Sequence, residues 1–210
     1  VYRPFHLNPR NYIYLADRGR FYGDVRLYDD EGTGIHFYTN REDTIADQEM
    51  TVELSRIDLK QFKKVLPYLP DVEGWLGGSA HYVDSEGQMM LSADVSLDHF
   101  VYEKSPLGNW AMNGVYLPGD NNAHHVDGFI THNDREIIYM NGIYQTDETG
   151  KENITGELEL QHFPLWVINP FVPDGIVNFR GDIDGTLAME GNPLKPVLNG
   201  GLQLDSVLMI

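Results

Sequence analysis

The feature that most restricts what this chain can fold into is an internal repeat. Val52-Glu53-Leu54-Ser55-Arg56-Ile57-Asp58-Leu59 matches Leu158-Glu159-Leu160-Gln161-His162-Phe163-Pro164-Leu165 at an offset of about 106 residues. Gly74-Trp75-Leu76-Gly77-Gly78-Ser79-Ala80-His81-Tyr82 then matches Gly181-Asp182-Ile183-Asp184-Gly185-Thr186-Leu187-Ala188-Met189 at about 107, which implies one inserted residue. The same offset sets Leu91, Val95, Leu97 and Asp98 against Leu198, Leu202, Leu204 and Asp205. Each copy reads as strand, short Leu-rich or Pro-rich segment, Pro-Asp turn, Gly-x-Φ-x-Gly strand (Φ apolar), turn and strand. The copies span about 52–102 and 158–209, and Gly19-Arg20-Phe21-Tyr22-Gly23 marks a partial copy over about 19–37. Repetition at a fixed period points to a structure that extends by adding units to one edge.

Inside the copies and between them the hydrophobic period is two. Phe21, Gly23, Val25 and Leu27 alternate with Tyr22, Asp24, Arg26 and Tyr28. Leu91, Ala93, Val95 and Leu97 alternate with Ser92, Asp94, Ser96 and Asp98. One apolar and one polar face is the signature of an antiparallel sheet wetted on one side. Turn signals punctuate the runs at Asp30-Glu31-Gly32, Ser85-Glu86-Gly87, Pro118-Gly119-Asp120, Glu148-Thr149-Gly150 and Glu190-Gly191-Asn192-Pro193. Two stretches break the pattern. Asp58–Leu66 carries Leu59, Phe62, Val65 and Leu66 at helical spacing behind an Asp58 N-cap, and Pro67 ends it. Phe163–Val172 is apolar but holds Pro164 and Pro170, which limits it to one or two helical turns.

Glycines four residues apart lie on one face of a strand and let a sheet curl where a side chain would obstruct it. Gly19, Gly23, Gly74, Gly78, Gly181 and Gly185 are the candidate curvature positions. The expected fold is therefore all-β: a curved, mostly antiparallel, U-shaped sheet, a β-taco, with one or two short helical segments. Residues 1–210 form one continuous β-repeat segment, without a linker that divides them. Val1 in place of Met, and the apolar run that Ile210 interrupts, read as cuts in a longer protein.

Charge excludes several partners. The chain has 32 acidic against 15 basic residues, a formal net charge of −17, so it lacks the cationic surface that displaces counterions from nucleic acid. The same field repels anionic headgroups at long range, so any lipid contact is apolar and local. Cysteine is absent, which removes disulfides and Cys-based metal sites. No run reaches the roughly 18–20 apolar residues of a membrane span.

Few motifs suggest chemistry. His124-His125 with Asp127, and His132 with Asp134, contain ligand types, but adjacent strand residues face opposite ways; the segment reads as a solvated loop, not a metal site. Asp29-Asp30-Glu31 lacks the ligand order of an EF-hand. No nucleophile elbow, phosphate loop or zincin motif occurs, and no carboxylate pair stands out as a glycosidase dyad. Trp75, Trp110 and Trp166 read as strand-face aromatics. No catalytic residue, metal or cofactor is expected.

Three phrases carry a resemblance to a known family: Val167-Ile168-Asn169-Pro170-Phe171-Val172-Pro173; Gly181-x-Ile183-x-Gly185-x-Leu187-x-Met189-x-Gly191-Asn192-Pro193; and Pro196-Val197-Leu198-Asn199-Gly200-Gly201-Leu202-Gln203-Leu204. Together with Phe5-His6-Leu7-Asn8-Pro9 and Leu69-Pro70-Asp71, they resemble the TamB-like translocation and assembly module proteins of the AsmA/TamB superfamily. The resemblance covers most of the chain through pattern and short phrases, and the family has no catalytic residues to transfer. It implies a periplasmic β-taco in a protein anchored to the inner membrane. It also implies phospholipid transport towards the outer membrane, or outer-membrane protein assembly with a barrel partner of the Omp85 type.

The candidate lipid-facing residues are Leu54, Leu76, Ala80, Tyr82, Leu91, Val95, Leu97, Leu158, Leu160, Ile183, Leu187, Met189, Leu198, Leu202 and Leu204. Each CH₂ left in water costs about 0.8 kcal/mol, so the two acyl chains of a phospholipid cost on the order of 20 kcal/mol gross. An apolar trough removes most of that cost. If its wall is uniform, a chain exchanges equal surfaces at every step and no chemistry is required to move it. Phospholipid acyl chains are thus the expected partner. Two other readings stand beside this one: a scaffold whose edges recruit partner strands, and a carbohydrate-binding β-sandwich with a filled core.

Overall fold

The computed structural model describes residues 4–16, 20–40, 46–65, 67–119, 122–147, 149–173 and 177–209. Among these residues, thirteen strands form one open sheet. They are β1 (His6–Leu7), β2 (Tyr12–Leu15), β3 (Phe21–Tyr28), β4 (Gly34–Thr39), β5 (Gln48–Asp58), β6 (Val72–Ser85) and β7 (Gln88–Tyr102), then β8 (Ser105–Pro118), β9 (Ala123–His132), β10 (Arg135–Thr146), β11 (Glu152–Pro164), β12 (Phe179–Gly191) and β13 (Val197–Met209). From β3 onward each strand pairs antiparallel with the next in sequence, while β1 and β2 both pair with β3. The chain is a curved, all-β meander, a β-taco, as the alternation predicts.

Tight turns make the meander possible. Glu86-Gly87, Glu103-Lys104 and Asn133-Asp134 each hold two successive residues at positive φ, between 45° and 78°. That is the type I′ geometry whose twist matches two-residue hairpins. Two longer turns are organised by one aspartate each. Asp29 Oδ1 accepts the amides of Glu31 and Thr33 at 2.9 and 2.8 Å. Asp147 Oδ1 accepts those of Thr149 and Lys151 at 2.8 and 2.9 Å.

The first helical segment is shorter than the sequence suggests, and the second keeps to the expected one or two turns. Asp58 and Phe163-Pro164 belong to strands. In the first copy the chain then makes a 3₁₀ turn at Leu59–Gln61 leading into a single α turn, α1 (Phe62–Val65). In the second it makes a 3₁₀ segment at Leu165–Phe171. Asp58 does act at the start of its segment, its Oδ1 accepting the Lys60 amide at 3.0 Å. Leu66 lies outside the described residues, as do Gly19, Asp120 and Glu148.

The two repeat copies hold matching places in the sheet. Leu54 lies opposite Gly78, and Leu160 opposite Gly185. A bulge comes after each leucine, with Arg56 (φ 49°) and His162 (φ 46°) in the left-handed region. Gly74 and Gly181 take φ of 138° and 93°, and Gly78 and Gly185 take 136° and 147°. The third strand of each copy bends at His99 (φ 53°) and Ser206 (φ 52°). Bulges in register across successive strands bend the whole sheet along one line. Gly23 behaves differently from the other curvature candidates: its φ is ordinary, and its need for glycine is the Phe37 ring, 3.1 Å from where a Cβ would stand.

The core is small. Among the described residues the buried apolar side chains are Leu107, Ile137, Leu165 and Val167, with Pro164 beside them. No described helix is long and apolar enough to cross a membrane.

Candidate functional site

Residues directly opposite in an antiparallel ladder share a face, so the register traces rows of side chains across the sheet. One row runs Ile35, Leu54, Gly78, Val95, Met112, Ile130, Ile138, Leu160, Gly185, Leu202. The next runs Phe37, Val52, Ala80, Ala93, Gly114, Gly128, Met140, Leu158, Leu187, Gly200. A third runs Met50, Tyr82, Leu91, Tyr116, Val126, Gly142, Gly156, Met189, Leu198. Every one of these positions is aliphatic, aromatic or glycine; at its β4 end the third row continues to the buried Thr39. Beside the bulges, a fourth row joins Leu76, Leu97, Trp110 and His132, and Ile183 pairs with Leu204. All fifteen groove candidates therefore lie on one face.

The opposite face is polar over most of its area. One row reads Arg26, His36, Glu53, Ser79, Asp94, Asn113, and another reads Asp24, Tyr38, Thr51, His81, Ser92. Tyr38 and Tyr139 donate to Glu53 and Asp127 at 3.0 and 2.8 Å. Hydrogen bonding to these carboxylates is the first cause that raises both phenol pKa values.

The apolar face is not packed shut. Leu91, Met112 and Leu202 remain 40, 44 and 47% exposed, and none of the fifteen candidates is fully buried. A hollow of about 240 Å³ sits midway along it, among Leu91, Ala93, Met112, Gly114, Tyr116 and Met140. Small residues open the space. A Cβ on Gly128 would stand 2.7 Å from the Asn113 carbonyl, and one on Gly156 would stand 2.5 Å from that of Asn141.

The 3₁₀ segment Leu165–Phe171 closes one margin. Its Leu165 and Val167 are buried. Trp166 packs edge-on to His132 at 5.7 Å, and Phe171 meets Tyr102 of β7 at 4.5 Å. Asn169 clasps Phe179 of β12, accepting from its amide at 2.7 Å and donating to its carbonyl at 2.9 Å. Trp110 Nε1–H donates to the Leu107 carbonyl at 2.9 Å, and His132 Nε2 lies 2.9 Å from the same oxygen. Trp166 is thus a packing residue outside any strand, whereas Trp75 and Trp110 are strand residues as expected.

The histidines read as a solvated loop are instead part of β9, because their segment pairs with strands on both sides. His124 shares the apolar face with Tyr116, whose hydroxyl lies 2.5 Å from its Nδ1. His132 is buried, and His125 lies on the other face opposite Ile143. No group of three or more His, Asp or Glu able to hold a metal occurs among the described residues.

Reading the repeat alone misses the middle of the face. Met112, Gly114, Tyr116, Val126, Gly128, Ile130, Ile138 and Met140 lie between the copies, so the offset does not select them. Their signal is the alternation itself, as in Met112-x-Gly114-x-Tyr116 and Ile138-x-Met140-x-Gly142.

Comparisons of the chain with protein-family profiles, with characterised proteins and with solved structures returned no match.

Proposed function

We propose that this chain is a segment of a hydrophobic conduit for phospholipid acyl chains, non-enzymatic and periplasmic. Its parent protein would be anchored to the inner membrane and serve outer-membrane biogenesis. The observation that carries this reading is the broad, incompletely buried apolar face across β4–β13, whose two central rows are apolar or glycine at every strand. Soluble proteins rarely leave contiguous apolar patches beyond a few hundred Å² without an occupant. A wall of repeated Leu, Ile, Met and Gly offers an acyl chain the same environment at each strand. The polar, acidic face keeps the outside in water. The compartment and the outer-membrane role rest on the resemblance to TamB-like proteins.

The scaffold reading has one observation in its favour: β13 is an edge strand in the described sheet, and Asp205 is its one charged residue. One experiment separates the two. A photo-crosslinking amino acid is placed at Val95, Met112 and Leu187, and as controls at Asp94, Asn113 and Ala188, in protein incubated with phospholipid vesicles. The conduit predicts lipid adducts at the first set and few at the second, a two-residue periodicity. Lipid adducts at neither set, with polypeptide adducts in cells from the same amino acid placed at Asn199 and Gln203 of β13, would replace the conduit by the scaffold.

A further inference from the structure

The polar face holds a second surface, which the conduit does not use. Across β2–β6 it is unusually aromatic. Tyr12, Tyr14 and Tyr22 form a chain of rings, with centroids 6.1 and 5.4 Å apart. Tyr12 lies opposite Asp24, which lies opposite Tyr38, and Tyr38 packs on His36 at 4.6 Å. Tyr12 and Tyr14 stay 36 and 43% exposed. Burial in a core does not explain these rings, because the apolar core is on the other side of the sheet.

Two hollows of about 410 and 430 Å³ share Glu53, and the ring of Tyr38 lines the second. The first includes Arg26, His36 and Ser55, and the second Tyr38, Thr51 and His81. The polar groups are held in place by one another. Arg26 contacts His36 Nδ1 at 3.2 Å, and His36 Nε2 meets Asp24 at 2.9 Å. The arginine can only donate, so Nδ1 accepts and Nε2–H donates to the carboxylate. His81 bridges Thr51 and Glu49 in the same way, at 2.8 and 3.2 Å. Such a network presents fixed donors and acceptors without a large ordering cost on binding.

We infer that this face of β2–β6 binds an uncharged oligosaccharide. Pyranose rings have an apolar face that stacks on aromatic rings and a rim of hydroxyls that bridge carboxylates, histidines and arginine. Side-by-side tyrosines with interleaved Asp, Glu, His and Arg supply both. Charge narrows the class: Asp24, Glu49 and Glu53 outnumber Arg26, which disfavours uronates, phosphorylated glycans and nucleic acid. Strand spacing makes the platform about 19 Å wide from β2 to β6, room for several linked rings.

The test is an amide NMR titration of the intact chain with chitotetraose and cellotetraose, with tetragalacturonate and tetralysine as charged probes. At least one uncharged tetrasaccharide should shift signals of β2–β5 and leave β11–β13 unmoved. Tyr14→Ala and Tyr38→Ala should each weaken that binding about tenfold or more, while Tyr38→Phe, which keeps the ring, should weaken it less. Unchanged melting curves for these variants separate lost contact from lost fold. The inference is overturned if neither uncharged tetrasaccharide shifts these signals at millimolar concentration. It is equally overturned if folded ring-deletion variants bind as well as the parent, or if tetralysine is the probe that binds.

Discussion

The two repeat copies share one backbone plan but fasten their connecting segments by different physics. In the second copy, Leu165–Phe171 is held by burial: Leu165 and Val167 are 6 and 4% exposed, and Phe171 and Trp166 reach across to β7 and β9. In the first, the side chains of the turn at Leu59–Gln61 and α1 make two ion pairs at the surface. Lys60 pairs with Glu73 at 2.7 Å, and Lys63 pairs with Asp71. Leu59 is half-buried. The positive-φ glycines and the bulges, by contrast, recur at matching positions in both, most closely at Gly78 and Gly185. Backbone geometry is thus the constant part of the unit. The fastening of its connecting segment is the part that varies.

The largest effect should come from the shared part. A Cβ on Gly78 or Gly185 would stand 2.2 Å from a neighbouring backbone carbonyl, and both residues have positive φ that side chains resist. Overpacking costs about 1–3 kcal/mol and a forced φ about 1–3 more. Gly78→Val and Gly185→Val should therefore each destabilise by about 2–6 kcal/mol in urea melts, and by similar amounts. Gly201→Val, where nothing stands within 4 Å, is the control and should cost far less. Tolerance at one glycine but not its counterpart would break the equivalence of the copies.

Next in size is the variable part. Leu165→Ala removes a buried side chain and should cost about 2–5 kcal/mol. Leu59→Ala, at the matching position, should cost on the order of 1 kcal/mol because that side chain is already partly in water. Equal costs would mean that Leu59 is buried as deeply as Leu165, contrary to its partial exposure.

Much of this plan is visible in the sequence, for identifiable reasons. Period two survives because one face is apolar in nearly every strand, so the register leaves its mark on each residue. Gly78 and Gly185 are visible because no other residue fits their backbone. Glu103-Lys104 forms a type I′ turn with no Gly or Asn to announce it; the pairing of β7 with β8 imposes it. His132 and Trp166 are unreadable as packing partners because their contact joins segments 34 residues apart through a seven-residue 3₁₀ segment, too short to leave a periodic signal. The aromatic surface of β2–β6 is hidden for a related reason. Its tyrosines alternate with apolar residues and look like ordinary strand members until the register places them on the polar face.

The smallest predicted effect concerns pH, and it sharpens the comparison most directly. Asp71 has its pKa lowered from 3.8, first by its hydrogen bond with Lys63 and then by that ammonium's charge. A carboxylate with a depressed folded pKa stabilises above its unfolded value and loses that contribution as pH falls through the folded one. Lys60 has its pKa raised from 10.5, first by its hydrogen bond with Glu73. Its contribution is complete below 10.5 and disappears as pH rises through the folded value. The first segment should therefore loosen in acid below pH 3.8 and again in alkali above pH 10.5, while the second, held without charges, should not. Both groups are exposed, so screening keeps the effect small and salt should reduce it further. The measurement is the methyl chemical shift of Leu59 against Leu165 as pH is lowered from 6 to 3. Leu59 should move with a midpoint below 3.8, and Asp71→Asn should abolish much of that movement. Movement of Leu165 over the same range, or a silent Leu59, would show that the two segments are fastened alike after all.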